Sequence, residues 1–187
     1  MCAKVSELVA QLDHEVRECV KCELYKGRRN AVPGDGNVKA KVMLVGEAPG
    51  KEEDLQGKPF VGAAGRLLTQ LLNSAELRRE DIYITNIVKC RPPENRPPRA
   101  DEISACSNYL ERQLKLIKPK LLCPMGNVAL KVFLGKDASI SRVHGQVIPV
   151  SEGRLIYPLY HPAAALYTAK LKGTLEEDIR RMGELPE

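Results

Sequence analysis

Short apolar strands alternating with amphipathic helices predict an α/β fold, a mostly parallel sheet covered on both faces. Two observations carry this expectation. Val42-Met43-Leu44-Val45 and the run Ile82–Val88 are apolar or β-branched and short enough for buried strands. Between and after them, apolar residues recur at helical spacing, as in Leu67, Leu68, Leu71 and Leu72. The 187-residue length favours one domain over residues 1–187, with enough chain to bury a core.

The elements follow in order. Val5, Leu8, Leu12 and Val16 mark an amphipathic helix over 4–18, which ends at Cys19-Val20-Lys21-Cys22. A polar loop, GRRNAVPGDGN, leads to the strand at 42–45, which runs straight into Gly46-Glu47-Ala48-Pro49-Gly50. A helix is expected over Ala63–Ala75 and a strand over 82–88. RPPENRPPR then excludes helix and central strand, because proline brings no N–H donor. Beyond it come a helix over about 101–117, a short strand at 121–123 and a helix at 128–134. Two β-rich pieces, 146–150 and 155–159, precede Tyr160-His161-Pro162-Ala163-Ala164, and a charged helix closes the chain. Sites in such sheets form beyond the carboxyl ends of strands, where the segments 46–50, 86–91 and 160–164 fall.

Composition narrows the function classes. Hydrophobic residues make up 43% and charged residues 28%, as in ordinary globular proteins. A net charge of +5 suits a polyanionic partner, since Lys and Arg release counterions from phosphates, and it equally serves solubility. No apolar run reaches the roughly 18 residues of a membrane span, and the N-terminus lacks a signal-peptide core. A cytoplasmic location is therefore expected, and disulfides are rare there.

The six cysteines must then be ligands, nucleophiles or buried apolar groups. Cys19 and Cys22 form a C-x2-C pair, Cys90 ends a strand and Cys106 lies early in the next helix. Four thiolates suit a structural zinc or an iron–sulfur cluster; the uneven spacing leans toward the cluster and leaves zinc open. Cys123 reads as a buried inert thiol in an apolar strand and Cys2 as a loose terminal one.

The motifs in sequence are Gly46-Glu47-Ala48-Pro49-Gly50, Glu53-Asp54, Gly57-Lys58-Pro59-Phe60-Val61-Gly62, Ala64-Gly65, Thr85 to Pro93 with Asn95-Arg96-Pro98, and His161-Pro162-Ala163-Ala164. This set, in this order, resembles the family 4 uracil-DNA glycosylases, the cluster-bearing branch of their superfamily, over about Cys19 to Leu166. The resemblance implies a three-layer α/β/α sandwich. It implies a structural [4Fe-4S] cluster on Cys19, Cys22, Cys90 and Cys106. It also implies a monofunctional hydrolase that releases uracil from DNA, acting as a monomer at the nucleoid.

A glycosylase must flip its nucleotide into a pocket, and the residues assign themselves to that task. Phe60 supplies a stacking ring. The amide of Asn86 can donate to uracil O4 and accept from N3–H, the opposite of what cytosine presents. A neutral His161 donating to O2 would stabilise the leaving uracil anion. The backbone of Gly46 and Ala48 is expected at the base, with Glu47 and Glu52 beside the substrate. Family 1 enzymes carry a water-orienting aspartate where this chain has Ala48, so that role is not transferred; Glu47 is expected to exclude the thymine methyl and to assist water weakly. Lys89, Arg91, Arg96 and Arg99 could grip phosphates, and Leu166 could fill the gap left by the flipped base. His14 and His144 read as ordinary residues. Two alternatives stand beside this reading: a sister branch that traps the abasic sugar through a histidine, which the segment after Asn86 lacks, and a non-catalytic nucleic-acid-binding or electron-transfer cluster protein.

Overall fold

The computed structural model describes residues 2–150 and 153–185, with side chains from Lys4 onward; the thiol of Cys2 lies outside them. The chain runs α1 (Cys2–Arg17), β1 (Asp35–Gly36), β2 (Val42–Gly46), α2 (Lys51–Gln56), α3 (Ala63–Ser74), β3 (Tyr83–Asn86), α4 (Ala100–Ile117) and β4 (Leu121–Pro124). It continues with α5 (Asn127–Leu134), α6 (Ile140–Val143), β5 (Ile148–Pro149), β6 (Leu155–Ile156), α7 (Pro162–Ala165) and α8 (Ala169–Gly183).

The sheet order is β1-β3-β2-β4-β6-β5. The inner strands β3, β2, β4 and β6 pair in parallel, and the short edges β1 and β5 pair antiparallel. The three segments expected to follow strand ends do so: β2 ends at Gly46, β3 at Asn86, and Leu159 bridges Met125 just before His161. The strand expected over 82–88 stops at Asn86. Beyond it the chain turns, while Ile87 and Val88 still donate to the carbonyls of Gly46 and Glu47 at 3.0 and 3.3 Å.

Strand parity sorts the core into two layers. Met43, Val45, Tyr83 and Leu122 face α1 and α4, with Leu12, Val16, Tyr109 and Leu114. Leu44, Ile84, Leu121 and Cys123 face the other way, against Leu68 and Leu72 of α3 and Leu175 and Ile179 of α8. This is the three-layer α/β/α sandwich. It exists because continuous apolar strands need covering on both sides. Cys123 is fully buried, as expected of an inert thiol. Short α2, α6 and α7 were not anticipated; four to six residues give too little periodicity to be read. Among the described residues no helix is long and apolar enough to cross a membrane.

Candidate active site

At the carboxyl ends of β2 and β3 lies a cleft of about 330 Å³. Glu47, Ala48, Phe60, Asn86, Asn95 and His161 line it, so five side chains far apart in sequence converge with Ala48 on one space. The position follows from the topology: β2 has β3 on one side and β4 on the other, the switch point at which open α/β sheets bind ligands.

Gly46 lets the parts meet. A Cβ there would lie 2.3 Å from Asn86 Oδ1 and 2.6 Å from the Phe60 ring, so only glycine admits both side chains at the strand end. Phe60 sits in the left-handed region at φ 51°, and its carbonyl oxygen would be 1.8 Å from a Cβ on Gly65. The ring is buried, and its centroid stands 5.6 Å from that of His161. Asn86 is 1% exposed, and its Oδ1 is buried with no hydrogen-bond partner. Leaving such an acceptor unmet costs about 1–3 kcal/mol, which the fold tolerates here at the wall of a cleft.

His161 caps the N-terminus of α7, and the Ala163 backbone N–H donates to its Nδ1 at 3.1 Å. A ring nitrogen that accepts this bond carries no proton, so the neutral ring holds its proton on Nε2 and keeps it as a donor. Burial pushes the imidazole pKa down to about 4, against a smaller opposing pull from the charge of Glu53. The ring is neutral at physiological pH.

Glu53, which sequence reasoning noted only as part of a motif, is the hub of the cleft wall. Its Oε1 accepts from the backbone N–H groups of Val61 at 2.9 Å and Gly62 at 2.8 Å, and its Oε2 from that of Gly50 at 3.1 Å. From the other side, Arg79 donates to the Pro59 carbonyl at 2.6 Å. Phe60 is thus held between two anchored flanks. The expectation for Glu52 is corrected: it is exposed and outside the cleft lining, because one helical step on α2 turns it away and presents Glu53. Glu47 lines the cleft half-buried, and burial raises its carboxyl pKa.

A second recess, lined by Cys19, Cys22, Cys90 and Cys106 with Arg28, Lys89 and Tyr109, lies where α1 and α4 meet the loop after β3. Burial pushes the thiols of Cys22 and Cys90 up, and that of Cys106 up to about 11. These are not activated nucleophiles, which need a lowered pKa. Arg28 donates to the Cys90 sulfur at 3.2 Å and to the Cys19 carbonyl at 2.7 Å. Among the described residues, no three His, Cys, Asp or Glu side chains gather as the ligands of one ion would. All four thiols nevertheless line the one recess.

The uracil DNA glycosylase superfamily model matches residues 33–181. A Type-4 uracil-DNA glycosylase of Saccharolobus solfataricus is 51% identical over 178 residues, covering 91% of this chain and 82% of its own. One from Archaeoglobus fulgidus is 46% identical over 186 residues, covering 96% and 94%. The chain belongs to the type-4 uracil-DNA glycosylases. A Type-5 uracil-DNA glycosylase of Pyrobaculum aerophilum stands further off, 31% identical over 201 residues and covering 96% and 87%.

Of the four cations expected to grip phosphates, two are otherwise engaged. Lys89 is 1% exposed and its ammonium is wholly taken up inside the protein, which corrects the expectation: a charge that cannot reach solvent cannot reach a phosphate. Arg96 lines the cleft but gives both terminal nitrogens to the buried carboxylate of Glu102, at 2.9 and 2.6 Å. That pair latches the proline loop to the start of α4. Arg91 donates its Nε to Asn95 at 2.7 Å, and Arg99 is exposed. Leu166 is 39% exposed and Tyr167 89%, together forming an apolar tip beyond α7. His14 lies on α1, outside the cleft lining. His144 is a structural residue bonded to the buried Asp178 at 2.7 Å.

Proposed function

We infer that this chain hydrolyses the N-glycosidic bond of flipped-out deoxyuridine in DNA, releasing uracil and leaving an abasic site for base excision repair. One observation carries the reading: the buried, unpaired Oδ1 of Asn86. Uracil N3–H supplies the donor this acceptor lacks, and the Asn86 amide N–H in turn donates to O4. Cytosine presents an acceptor at N3 and a donor at C4, so both contacts fail and buried groups stay unpaired.

In this reading the extruded base stacks on Phe60, between the anchored flanks of Pro59 and Val61-Gly62. The backbone at Gly46 and Ala48 borders it. As the C1′–N1 bond breaks, its electron pair leaves on uracil N1 and charge spreads to O2. The Nε2–H of neutral His161 donates there; a hydrogen bond of this kind is worth about 10²–10³ in rate. Water then bonds to C1′ through its oxygen and gives its proton to solvent. Glu47 crowds the position of a 5-methyl group and so disfavours thymine. With Asn95 it is the polar group left to hold that water weakly.

Cys19, Cys22, Cys90 and Cys106 would hold a [4Fe-4S] cluster, since four thiols lining one recess beside a guanidinium suit a multi-atom anionic group. Its contribution when bound is cross-linking of α1, the loop after β3 and α4. Arg91 and Arg99 hold the DNA backbone, and Leu166 fills the vacated stack. We further propose that the chain, as one domain over residues 1–187, acts as a monomer on nucleoid DNA in the cytoplasm.

Incubation with a uracil-containing oligonucleotide, followed by alkali, should break the strand at uracil and leave cytosine and thymine controls intact. Asn86→Ala should lower the rate about 10²-fold or more. An intact uracil strand after incubation with cluster-loaded protein would refute the reading.

A further inference from the structure

Lys89 lines the cysteine recess and bonds the backbone of Asn86, which lines the base cleft. Its ammonium has three donors and meets three acceptors: Thr85 Oγ1 at 2.6 Å, the Asn86 carbonyl at 2.7 Å and Gln113 Oε1 at 2.7 Å. Its own carbonyl accepts from Val32 N–H at 2.7 Å. Its side chain also lines the cysteine recess. Gln113 extends the web, donating to the Pro33 carbonyl at 2.9 Å and to the Tyr83 hydroxyl at 3.2 Å, while Thr85 donates to the same carbonyl at 2.7 Å.

An ammonium whose three bonded acceptors are all neutral, with the Asp13 carboxyl acting on it only through its charge, is an expensive way to fill space; methionine would fill it without the desolvation. What methionine would not do is draw the Asn86 carbonyl, the Thr85 hydroxyl and the Gln113 amide onto one point. That matters because the Asn86 side chain gets no help of its own. Its Oδ1 has no partner in the protein, so the direction of the amide is set through its backbone and through packing against Gly46 and Phe60.

We propose that Lys89 is a positioning residue for base reading: by holding the Asn86 carbonyl it aims the Asn86 amide, and by forming part of the wall of the four-cysteine recess it ties that aim to the recess. The proposal rests on the glycosylase reading above. It concerns chemistry on the base and not the grip on DNA, since Lys89 is out of reach of any phosphate. A plug that merely stabilised the fold would lower melting temperature and cysteine-site loading and leave the reaction of each folded molecule unchanged.

The test compares wild type, Lys89→Met and Gln113→Leu. Cluster absorbance, melting temperature, affinity for a duplex carrying a tetrahydrofuran abasic analogue, and single-turnover release of uracil are measured on each. Among molecules with full cluster absorbance, Lys89→Met should release uracil about ten to a hundred times more slowly, as misplacement of a reading group by a fraction of an ångström to an ångström does. Its affinity for the abasic duplex should stay within about twofold of wild type. Gln113→Leu removes one acceptor and should show the same pattern in smaller measure; it carries the test if Lys89→Met does not fold. An unchanged single-turnover rate in loaded variant protein overturns the proposal, as does a rate loss matched by an equal loss of abasic-duplex affinity. Inactive wild-type protein overturns the glycosylase reading and this inference with it.

Discussion

Two recesses of the protein, the base cleft and the cysteine recess, are built to opposite plans and share the loop that follows β3. The base cleft is assembled in advance by hydrogen bonds within the fold. Glu53 and Arg79 fix the flanks of Phe60, the Ala163 N–H fixes the His161 tautomer, and one acceptor on Asn86 is left over. In the cysteine recess burial pushes the thiols of Cys22, Cys90 and Cys106 up, with Arg28 beside Cys90 and no disulfide among the four. The first plan needs nothing but the fold. On the proposed reading the second takes a cluster, whose binding drives off the protons that its thiols must lose to become good ligands. The lesson is that chemistry and stability are separated in this molecule, and that residues 86–90 are where they meet.

The largest expected effect lies on the stability side. Cys90→Ala should abolish cluster absorbance and lower the melting temperature by on the order of 10 °C, as loss of several kcal/mol does in a domain of this size. Calorimetry of loaded wild type and variant checks it; equal melting temperatures would collapse the distinction between the two recesses. On the chemical side, His161→Ala should reduce kcat by about 10²–10³-fold with little change in melting temperature.

The acid limb sharpens the comparison further. Because His161 is neutral down to about pH 4, protonation of this ring should leave the rate flat above roughly pH 5. Its linkage to stability has a definite sign. Between the ordinary histidine value of 6.5 and about 4 the unfolded chain takes up a proton that the folded chain refuses. His161 therefore stabilises fully above that window and loses its contribution as pH falls through it. Asp13 acts in the opposite sense, its carboxyl pushed up to about 6 chiefly by burial, so its contribution is lost as pH rises toward and past that value. Urea denaturation of wild type and His161→Asn across this range isolates the histidine: their stability difference should grow with pH. The smallest effect belongs to the tip. Leu166→Ala and Tyr167→Ala should each slow uracil release from duplex by only a few-fold and leave single strands unaffected, because only a duplex has a stack to fill.

Much of the candidate site was legible because each residue type carries its own chemistry. A phenylalanine in a glycine-rich loop, an asparagine closing a β-branched run and a histidine before proline stand out without coordinates, and the structure brings all three into one cleft. Lys89 misled for a physical reason. A lysine beside Arg91 in a proline-rich segment reads as surface, and nothing local reveals that Thr85 and Gln113 close over it. Glu53 escaped notice as a hub because its partners are backbone N–H groups, which have no signature in sequence. Arg96 likewise points into the cleft region while its charge is spent on Glu102, a pairing set by the turn between them.

The sequence by itself determined the layered α/β architecture, the family and the residue types of both recesses. Strand parity, helical period and motif order are local properties, readable along the chain. Tertiary structure alone decided which carboxylate backs the cleft, which nitrogen of His161 bears the proton, and which lysine is buried. Those depend on what folds over each group, and burial and hydrogen-bond partnership are properties of neighbours brought together from distant positions.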